Sequence, residues 1–370
     1  MIGAILRAWD NFRGIGEASV SVPPMDGALR PNQRLEEAVA VIATPTPDNL
    51  ASRGGGVWFS SGKAVFELDR AAGRCAEVHR FDHAVTALAC SNETLAIGLD
   101  SGRVVFRGGA DDGREIANLA GRPLLCPTAL MFKPSGELLI AQGSAMRPAR
   151  EWKHDAMDRN ASGSIWEFEP ASGKAVLRAD RLSWPYGLAI ARDGAIAFSE
   201  SWLHRIAVIG PGGAITPVLE DIPGYPARLA PGSDGGYWLA VFAPRNQLIE
   251  FVQRERKFRR RMMAEVDPEY WLAPTLKPSE SFLEPLQGGA QKHLNRLKPW
   301  APTRSYGLVV RLDRDFQPVE SFHSRADGRR HGVTSCIDVG GEILAATQGG
   351  NAIVSLGHST GQPTLANGGE

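Results

Sequence analysis

The sequence of 370 residues has no long apolar stretch and no excess of charge of either sign. No segment reaches the roughly 18 to 20 uncharged apolar residues of a membrane span, and Arg7 and Asp10 stand where a signal peptide would be apolar. We therefore expect no transmembrane segment, a soluble protein, and a mature chain that is the whole chain. Lysine plus arginine equals aspartate plus glutamate, at 41 each, so the composition predicts no nucleic-acid binding.

Cysteine is scarce, and several common catalytic motifs are missing. The four cysteines are widely spaced and form no C-x-x-C pair; they are Cys75, Cys90, Cys126 and Cys336. Such spacing favours reduced core thiols over a metal cluster, and hence a cytoplasmic location. The chain also lacks H-E-x-x-H, Walker and Rossmann fingerprints, so its chemistry, if any, does not follow those patterns.

The most informative feature that is present is an internal repeat. In four places a leucine stands six residues ahead of a turn glycine, and a short apolar strand follows; these leucines are Leu50, Leu130, Leu188 and Leu229. Two weaker units have Leu88 and Ser335 in the leucine position, and each unit continues with another strand, at 248–251 in the fifth. Successive spacings of 38, 42, 58 and 41 residues match the four short strands of one propeller blade.

The repeat predicts an all-β fold, a six-bladed β-propeller with a mostly helical insertion that covers one mouth. We expect the following organisation: an N-terminal extension at 1–36, blades 1 to 5 at 37–252, the insertion at 253–305, the last blade and closure at 306–357, and a flexible tail at 358–370. A strand near 37–42 should close the ring against the last blade, because closure removes exposed sheet edges. A β-sandwich followed by a helical domain would not explain why the same spacing of leucine position, turn glycine and strand recurs from Leu50 to Gly341.

Two further segments carry helical patterns. The spacing of Ile2, Ile5, Leu6 and Trp9 predicts a helix that caps the propeller, with a membrane anchor as the alternative. The basic run at 254–261 predicts a solvated helix face, with binding of anionic head groups or phosphates as the alternative.

Candidate functional residues follow from the geometry of a propeller, in which the ends of the innermost strands converge on the tunnel mouth. Aligning the six units by the leucine position also aligns the two residues directly ahead of that position in each unit. The polar residues among them are Asp48, Asn49, Thr128, Tyr186, Arg228 and Thr334. Asp48, Tyr186 and His331 are the candidate catalytic groups, because they can exchange protons. The candidate substrate-binding residues are Asn49, Thr128, Trp184, Tyr225, Arg228 and Thr334, with packing between blades as the alternative for the aromatic ones.

Three other features receive structural interpretations. Glu200 and Arg205 are expected to form an ion pair across a hairpin. His204, beside this pair, is expected on the hairpin surface. The segment Trp152–Asp158 in the third unit is expected to form a lid.

Several motifs resemble those of a known family. The likeness covers roughly residues 45–356 and is most specific between residues 184 and 237. They are Ser183-Trp184-Pro185-Tyr186-Gly187-Leu188-Ala189, Ser199-Glu200 with Arg205-Ile206, Ile222-Pro223-Gly224-Tyr225-Pro226, Tyr237-Trp238, and Gly307-Leu308-Val309-Val310-Arg311-Leu312-Asp313. The sequence thus resembles the strictosidine-synthase-like branch of the superfamily that also holds gluconolactonases, senescence-marker lactonases and paraoxonases. That resemblance implies a six-bladed propeller. In the lactonase members it implies a calcium ion held by one glutamate, two asparagines and an Asp or Asp-Asn pair.

This sequence departs from that ligand set. The glutamate position falls on Asp48, the two asparagine positions on Thr128 and Tyr186, and the Asp-Asn pair on Ala227 and Arg228. Calcium takes six to eight oxygen ligands, and a guanidinium among them would repel it. The glutamate on which strictosidine synthase relies falls on Thr334. We therefore expect no cofactor, with calcium as the disfavoured alternative.

Three functions stay open at this stage. We favour a metal-independent enzyme with altered chemistry that acts on a small, possibly anionic, molecule. The alternatives are a calcium-dependent lactone or ester hydrolase, with Asp48, Asn49 and lid carboxylates as ligands, and a non-catalytic propeller that binds a small ligand. Under the favoured hypothesis Arg228 replaces the cation, lies within salt-bridge reach of Asp48, and offers a forked donor to an anion. The alternative is that Arg228 points outwards and pairs with a surface acid.

Overall fold

The structure is a computed structural model that describes residues 22–91, 93–280, 283–285 and 303–358, together with the backbone of two short strands, Lys292–His293 and Arg296–Leu297. The expected helix around Ile2 to Trp9 and the tail beyond residue 358 lie outside the described residues. None of the helices in the described part of the chain has the length and apolar character needed to cross a bilayer.

Six antiparallel four-stranded sheets make up the described propeller, as the repeat predicts. The residues at the leucine position of the six units all lie on the first strand of their blades, and these strands pack against one another around the central axis. Gly136, Gly194 and Gly235, which end the frame in three units, have φ angles of 103°, 84° and 83°. Glycine adopts this left-handed conformation without steric cost, which allows the tight turn between the first two strands.

The strands run in the following order. Strand β1 (Val39–Ala43) precedes blade 1, which contains β2 (Pro47–Arg53), β3 (Gly56–Ser61), β4 (Ala64–Asp69) and β5 (Arg74–Arg80). Blade 2 contains β6 (Val85–Cys90), β7 (Leu95–Leu99), β8 (Arg103–Arg107) and β9 (Glu115–Ile116), and a small hairpin follows, β10 (Asn118–Leu119) with β11 (Arg122–Pro123). Blade 3 contains β12 (Pro127–Phe132), β13 (Leu138–Gln142), β14 (Gly163–Glu169) and β15 (Lys174–Leu182). Blade 4 contains β16 (Pro185–Ile190), β17 (Ile196–Glu200), β18 (Arg205–Ile209) and β19 (Ile215–Leu219).

Blade 5 is interrupted by the insertion. It contains β20 (Gly224–Pro231), β21 (Tyr237–Pro244), β24 (Leu308–Leu312) and β25 (Pro318–His323), and the hairpin β22 (Lys292–His293) with β23 (Arg296–Leu297) lies within the insertion. Blade 6 contains β26 (Val333–Val339), β27 (Glu342–Thr347) and β28 (Ala352–His358). Strand β1 completes blade 6 by pairing with β28 in antiparallel register, which confirms the expected closure of the ring.

The boundary of the insertion differs from the sequence prediction. Residues 248–251 are not a strand: they belong to helix α2 (Gln247–Arg254), which the Asn246 side chain caps by accepting hydrogen bonds from the backbone N–H groups of Leu248 and Ile249 at 2.9 and 3.3 Å. The third strand of blade 5 is β24, after the insertion. The insertion therefore begins directly after β21, and the segment 306–357 holds half of blade 5 as well as the last blade.

The first half of the insertion is helical and the rest of its described part is mostly irregular. Helix α2 is followed by α3 (Arg256–Glu265) and a 3-10 turn at Pro268–Tyr270. Helix α1 (Trp152–Asp158), between β13 and β14, packs against this region. Their shared core is small and apolar, and contains Met157, Val252, Met262, Trp271 and Ala273. The two insertions thus support each other on the face of the propeller that carries the candidate site.

Candidate functional site

An ion pair occupies the centre of the tunnel mouth. Arg228, on β20, donates from Nη1 to Asp48 Oδ1 on β2 at 2.7 Å. Both side chains are about nine-tenths buried, with 10% and 12% of their surface exposed. The predicted salt bridge is therefore confirmed, and the alternative that Arg228 pairs with a surface acid is wrong.

The guanidinium of Arg228 uses all four of its terminal N–H groups inside the protein. Nη1 also donates to the carbonyl of Thr334 at 3.2 Å, and Nη2 donates to the carbonyls of Thr86 and Thr128 at 2.8 and 3.1 Å. The ring of Tyr186 lies 4.7 Å from the guanidinium carbon, a cation–π contact. One side chain of blade 5 thus contacts each of the other five blades. The expected forked donation to a ligand is not available, because the fork is already occupied.

The two oxygens of Asp48 have different surroundings. Oδ1 accepts three hydrogen bonds of 2.7 Å, from the Asn49 backbone N–H, Arg228 Nη1 and the Thr334 hydroxyl. Oδ2 has no hydrogen-bond donor among the residues that the structure describes. A bulge between β2 and β3, with Asn49 in the left-handed region at φ 54°, sets the direction of this carboxylate. Asp48 therefore keeps one free acceptor oxygen.

A cavity of about 220 Å³, the mouth cavity, lies beside this carboxylate. Its walls are mainly aromatic: Trp152, Trp184, Tyr186, Trp202 and Phe242. Its polar lining includes Asp48, Thr86, Thr128 and Gln348, and the ion pair between Asp100 and Arg150, at 2.6 Å, lies at the cavity as well. An apolar cavity with few polar groups is the usual form of a small-molecule site. The free oxygen of Asp48 favours a hydrogen-bond donor or a cation there, not the anion expected from Arg228.

Trp202 organises the aromatic wall. Its ring centroid lies 5.2 Å from that of Trp184 and 6.4 Å from that of Trp152, and its Nε1 donates to Asp155 Oδ1 at 2.8 Å. Helix α1 supplies both Trp152 and Asp155, so the segment predicted as a lid contributes to the cavity wall. Gly143 makes room for this arrangement, because a Cβ there would lie 3.2 Å from the Trp184 ring.

The titratable groups of the mouth cavity have distinct roles. Burial raises the pKa of Tyr186 to about 12, although the nearby Arg228 charge acts in the opposite direction. Tyr186 is therefore a neutral phenol near neutral pH, able to donate a hydrogen bond but unable to act as a base. Asp155 does not line the cavity but holds Trp202, and burial raises its pKa, while its hydrogen bonds from Trp202 and Asn160 act against that shift.

His331 does not line the mouth cavity, so the structure does not bring it to the place where a general base was predicted. The side chain is fully buried, Nδ1 lies 2.8 Å from the Ser305 hydroxyl, and Nε2 lies 2.6 Å from the Arg325 carbonyl. Burial lowers the pKa of His331. With both ring nitrogens engaged, this histidine holds the end of the insertion against the loop before β26.

The remaining predicted residues divide into supporting and displaced groups. Thr128 lines the mouth cavity. Thr334 and Asn49 do not: the Thr334 hydroxyl donates to Asp48 Oδ1 at 2.7 Å, and the Asn49 side-chain amide donates to Ser60 Oγ at 2.7 Å. Tyr225 lies on the far side of Trp202, where it lines a second cavity.

Two predictions around the hairpin of blade 4 have opposite outcomes. Glu200 and Arg205 form the expected ion pair, at 2.7 Å. His204 is not a surface residue: its Nδ1 lies 3.0 Å from the Gly224 carbonyl, its ring centroid lies 4.6 Å from that of Tyr225, and burial lowers its pKa to about 3.

Sequence reasoning missed several residues of the mouth cavity, among them Trp202, Phe242, Leu276 and Gln348. Gln348 directly follows β27, and Trp202 directly follows β17 apart from one serine, so both stand at strand ends on the mouth side. A search of the second strands of each unit, and not only the first, would have found them.

The residues at the tunnel mouth do not fit a calcium ion. The guanidinium of Arg228 fills the point on which the inner strands converge, and Asp48 is the one carboxylate within the described part of the chain that contacts it. Among the described residues there is no cluster of three or more His, Cys, Asp or Glu side chains that could hold a metal.

Comparisons with known proteins agree with the motifs. No protein-family model matches the chain. It is 26% identical over 216 residues to adipocyte plasma membrane-associated protein of Danio rerio, covering 55% of this chain and 45% of the relative. It is 24% identical over 159 residues to strictosidine synthase-like protein 3 of Arabidopsis thaliana, covering 41% of each chain. The matches thus span less than half of these relatives.

The solved structure of a gluconolactonase from Xanthomonas campestris superposes with a TM-score of 0.53 at 14% identity, covering 87% of this chain and 89% of that one. This likeness shows the fold. The Arabidopsis relative is named for the strictosidine-synthase-like branch that the motifs resemble, and the propeller fold is shared with the gluconolactonase structure.

Proposed function

We propose that this protein is a metal-independent enzyme of the strictosidine-synthase-like class, which binds a small organic molecule in the mouth cavity with an amine or hydroxyl head on Asp48. The free Oδ2 of Asp48, next to an aromatic wall, is the observation that carries the proposal. A carboxylate oxygen in a partly buried site attracts a cation or a hydrogen-bond donor more strongly than it would in water. The aromatic faces add cation–π attraction and apolar contact area.

The roles of the residues follow from their contacts. Asp48 accepts a hydrogen bond, and during turnover a proton, from the head of the substrate. Tyr186 remains protonated and supplies a neutral donor. Arg228 is a positioning residue, since it touches Asp48 and three backbone carbonyls and holds the carboxylate in one orientation.

A cytoplasmic location is part of the proposal. All four cysteines are unpaired, and burial raises the pKa of Cys90 to about 12, which marks it as an unreactive thiol. Unpaired cysteines are typical of proteins in reducing compartments.

The test compares two probes that share a ring and differ in the head group, benzylamine and benzyl alcohol. Binding is followed by calorimetry and by tryptophan fluorescence. Asp48→Asn keeps the shape of the side chain but removes the charge, and we expect it to weaken benzylamine binding by about tenfold or more, which corresponds to about 1.4 kcal/mol. Benzyl alcohol should lose much less affinity, because its neutral head gains little from the charge.

Asp100→Asn is the matched control, since Asp100 also lines the mouth cavity but has its carboxylate bound to Arg150. It should leave benzylamine binding close to that of the unaltered protein. If Asp48→Asn binds benzylamine normally, or if Asp100→Asn has the same effect, Asp48 is not the recognition group.

A non-catalytic binding protein is the second candidate, favoured by the small number of proton-exchanging groups at the cavity once His331 is removed from it. Mass spectrometry after incubation with a mixture of aromatic amines, lactones and aryl esters separates the two. A product that the unaltered protein forms and Asp48→Asn does not form supports the enzyme. An unchanged mixture, together with benzylamine binding, supports the binding protein.

A further inference from the structure

A second cavity of about 290 Å³, the side cavity, lies behind Trp202 and opens between helix α1, helix α2 and blades 4 and 5. Trp202 lines both cavities, so it forms part of the wall between them. The charged residues of the side cavity are three arginines and one glutamate: Arg159, Arg245, Arg254 and Glu250. The side cavity therefore has an excess of positive charge.

Arg245 forms an ion pair with Glu250, the one acidic residue among the described residues that line the side cavity. Its Nε and Nη2 donate to the two carboxylate oxygens of Glu250 at 2.5 and 3.1 Å, and only 8% and 5% of these two side chains are exposed. Such a buried, two-point pair leaves Glu250 with little capacity for another cation.

Arg254 is consequently left without a full partner. Its Nη2 lies 3.9 Å from Glu250 Oε2, beyond hydrogen-bond distance. Its Nη1 is buried and has no hydrogen-bond acceptor among the described residues. An unpaired, buried guanidinium N–H is costly, and native proteins nearly always satisfy such groups.

Two neighbours extend the set of unused donors. The Tyr225 hydroxyl is buried and makes no hydrogen bond of normal geometry in the described part of the chain, although the Gln253 side chain lies near enough to act on its pKa; Tyr225 itself is 1% exposed. Arg159, at the exposed edge, has no ion pair within the described residues. His204 adds no charge, because it is neutral above its lowered pKa. Every unused side-chain donor named here would be satisfied by an oxyanion.

We propose that the side cavity binds an oxyanion group, a carboxylate or a phosphate, through Arg254, Arg159 and the Tyr225 hydroxyl. A planar guanidinium with free N–H groups matches the geometry of both anions. The proposal adds a site to the protein and does not depend on the function proposed for the mouth cavity. Arg254 thus differs from the rest of the basic run at 254–261, because the next members of that run lie on the exposed face of α3.

The test uses inorganic phosphate and acetate as probes, at constant ionic strength set with chloride. Calorimetry gives the affinity, and Trp202 provides a fluorescence signal because it lines the side cavity. Arg254→Ala should weaken the binding of the preferred probe by about tenfold or more. Arg260→Ala, which removes an exposed arginine from the same basic run, is the matched control and should leave the affinity unchanged.

Tyr225→Phe keeps the proposal testable if Arg254→Ala fails to fold. It removes only a hydroxyl that makes no hydrogen bond of normal geometry within the described residues, so without an anion the variant should be about as stable to heat as the unaltered protein. With phosphate or acetate present, it should gain less stability than the unaltered protein, since the anion binds it less tightly. A purely structural tyrosine would show no such dependence on the anion.

The outcomes are distinguishable. A preference for phosphate points to a phosphorylated ligand and a preference for acetate points to a carboxylate ligand, and both support the proposal. Binding of neither probe at millimolar concentration, or equal losses in Arg254→Ala and Arg260→Ala, overturns it. Asp48→Asn should leave phosphate and acetate affinity unchanged, and Arg254→Ala should leave benzylamine affinity unchanged, so each proposal can fail alone.

Discussion

Replacing Arg228 by methionine tests the central ion pair. Methionine fills a similar volume but cannot donate a hydrogen bond, so the change removes four hydrogen bonds and leaves the Asp48 carboxylate buried without its cation. Loss of one partner of a buried pair costs about 3 to 5 kcal/mol, because the remaining charge is not compensated. We expect Arg228→Met to lower the free energy of unfolding by about that amount, as measured by urea denaturation followed by tryptophan fluorescence.

Two further variants make this prediction specific. Arg228→Met combined with Asp48→Leu removes both charges, so it should be more stable than Arg228→Met alone. Arg261→Met removes one partner of an exposed ion pair with Glu265, in which 75% and 58% of the side chains are exposed, and should cost less than about 1 kcal/mol. A loss below about 1 kcal/mol for Arg228→Met, or a double variant less stable than the single one, would refute the reasoning.

Two buried histidines give the remaining predictions. Burial lowers the pKa of His323 from 6.5 to about 4, so the unfolded chain binds a proton between these pH values and the folded protein does not. Its contribution to stability should be complete above pH 6.5 and fall by roughly 2 to 3 kcal/mol as the pH drops to 4, and urea unfolding of His323→Gln should show a shallower decline. His331→Gln should lower the unfolding free energy by about 1 to 2 kcal/mol through its lost hydrogen bonds, and calorimetry should find benzylamine affinity unchanged; an altered affinity would return His331 to the site.

The propeller could be predicted from the sequence because every blade packs its inner strand against the neighbouring blades in the same way. Leu50, Leu130 and Leu188 recur at one position since each inner strand must bury an apolar side chain against the neighbouring blades. The fifth blade was misread at 248–251, where a short apolar run fits a strand or a helix equally well. The deciding signal was Asn246, an N-cap residue directly ahead of the run.

The candidate site could be predicted only where it depends on the repeat. The frame located Asp48, Tyr186 and Arg228, because equivalent positions of the inner strands meet at the mouth. It could not separate these from Asn49, whose side chain turns away within the bulge. Part of the aromatic wall was missed, because Phe242 comes from the second strand of its blade and Trp202 from just after the second strand of its own, and the alignment of the first strands does not include these positions.

The charge of a ligand could not be read from the charges of the site, and the two cavities show why. At the mouth cavity a permanently charged arginine faces the tunnel, yet all four of its terminal N–H groups have acceptors, and the oxygen left free belongs to Asp48. At the side cavity both carboxylate oxygens of Glu250 accept hydrogen bonds from Arg245, and Nη1 of Arg254 is left without an acceptor among the described residues. A ligand meets whichever hydrogen-bonding capacity the protein has not used, since satisfied groups offer it nothing to bind. The groups left without partners therefore favour a donor or cation beside Asp48 and an oxyanion beside Arg254. The charge of Arg228 alone would have suggested an anion at the mouth cavity.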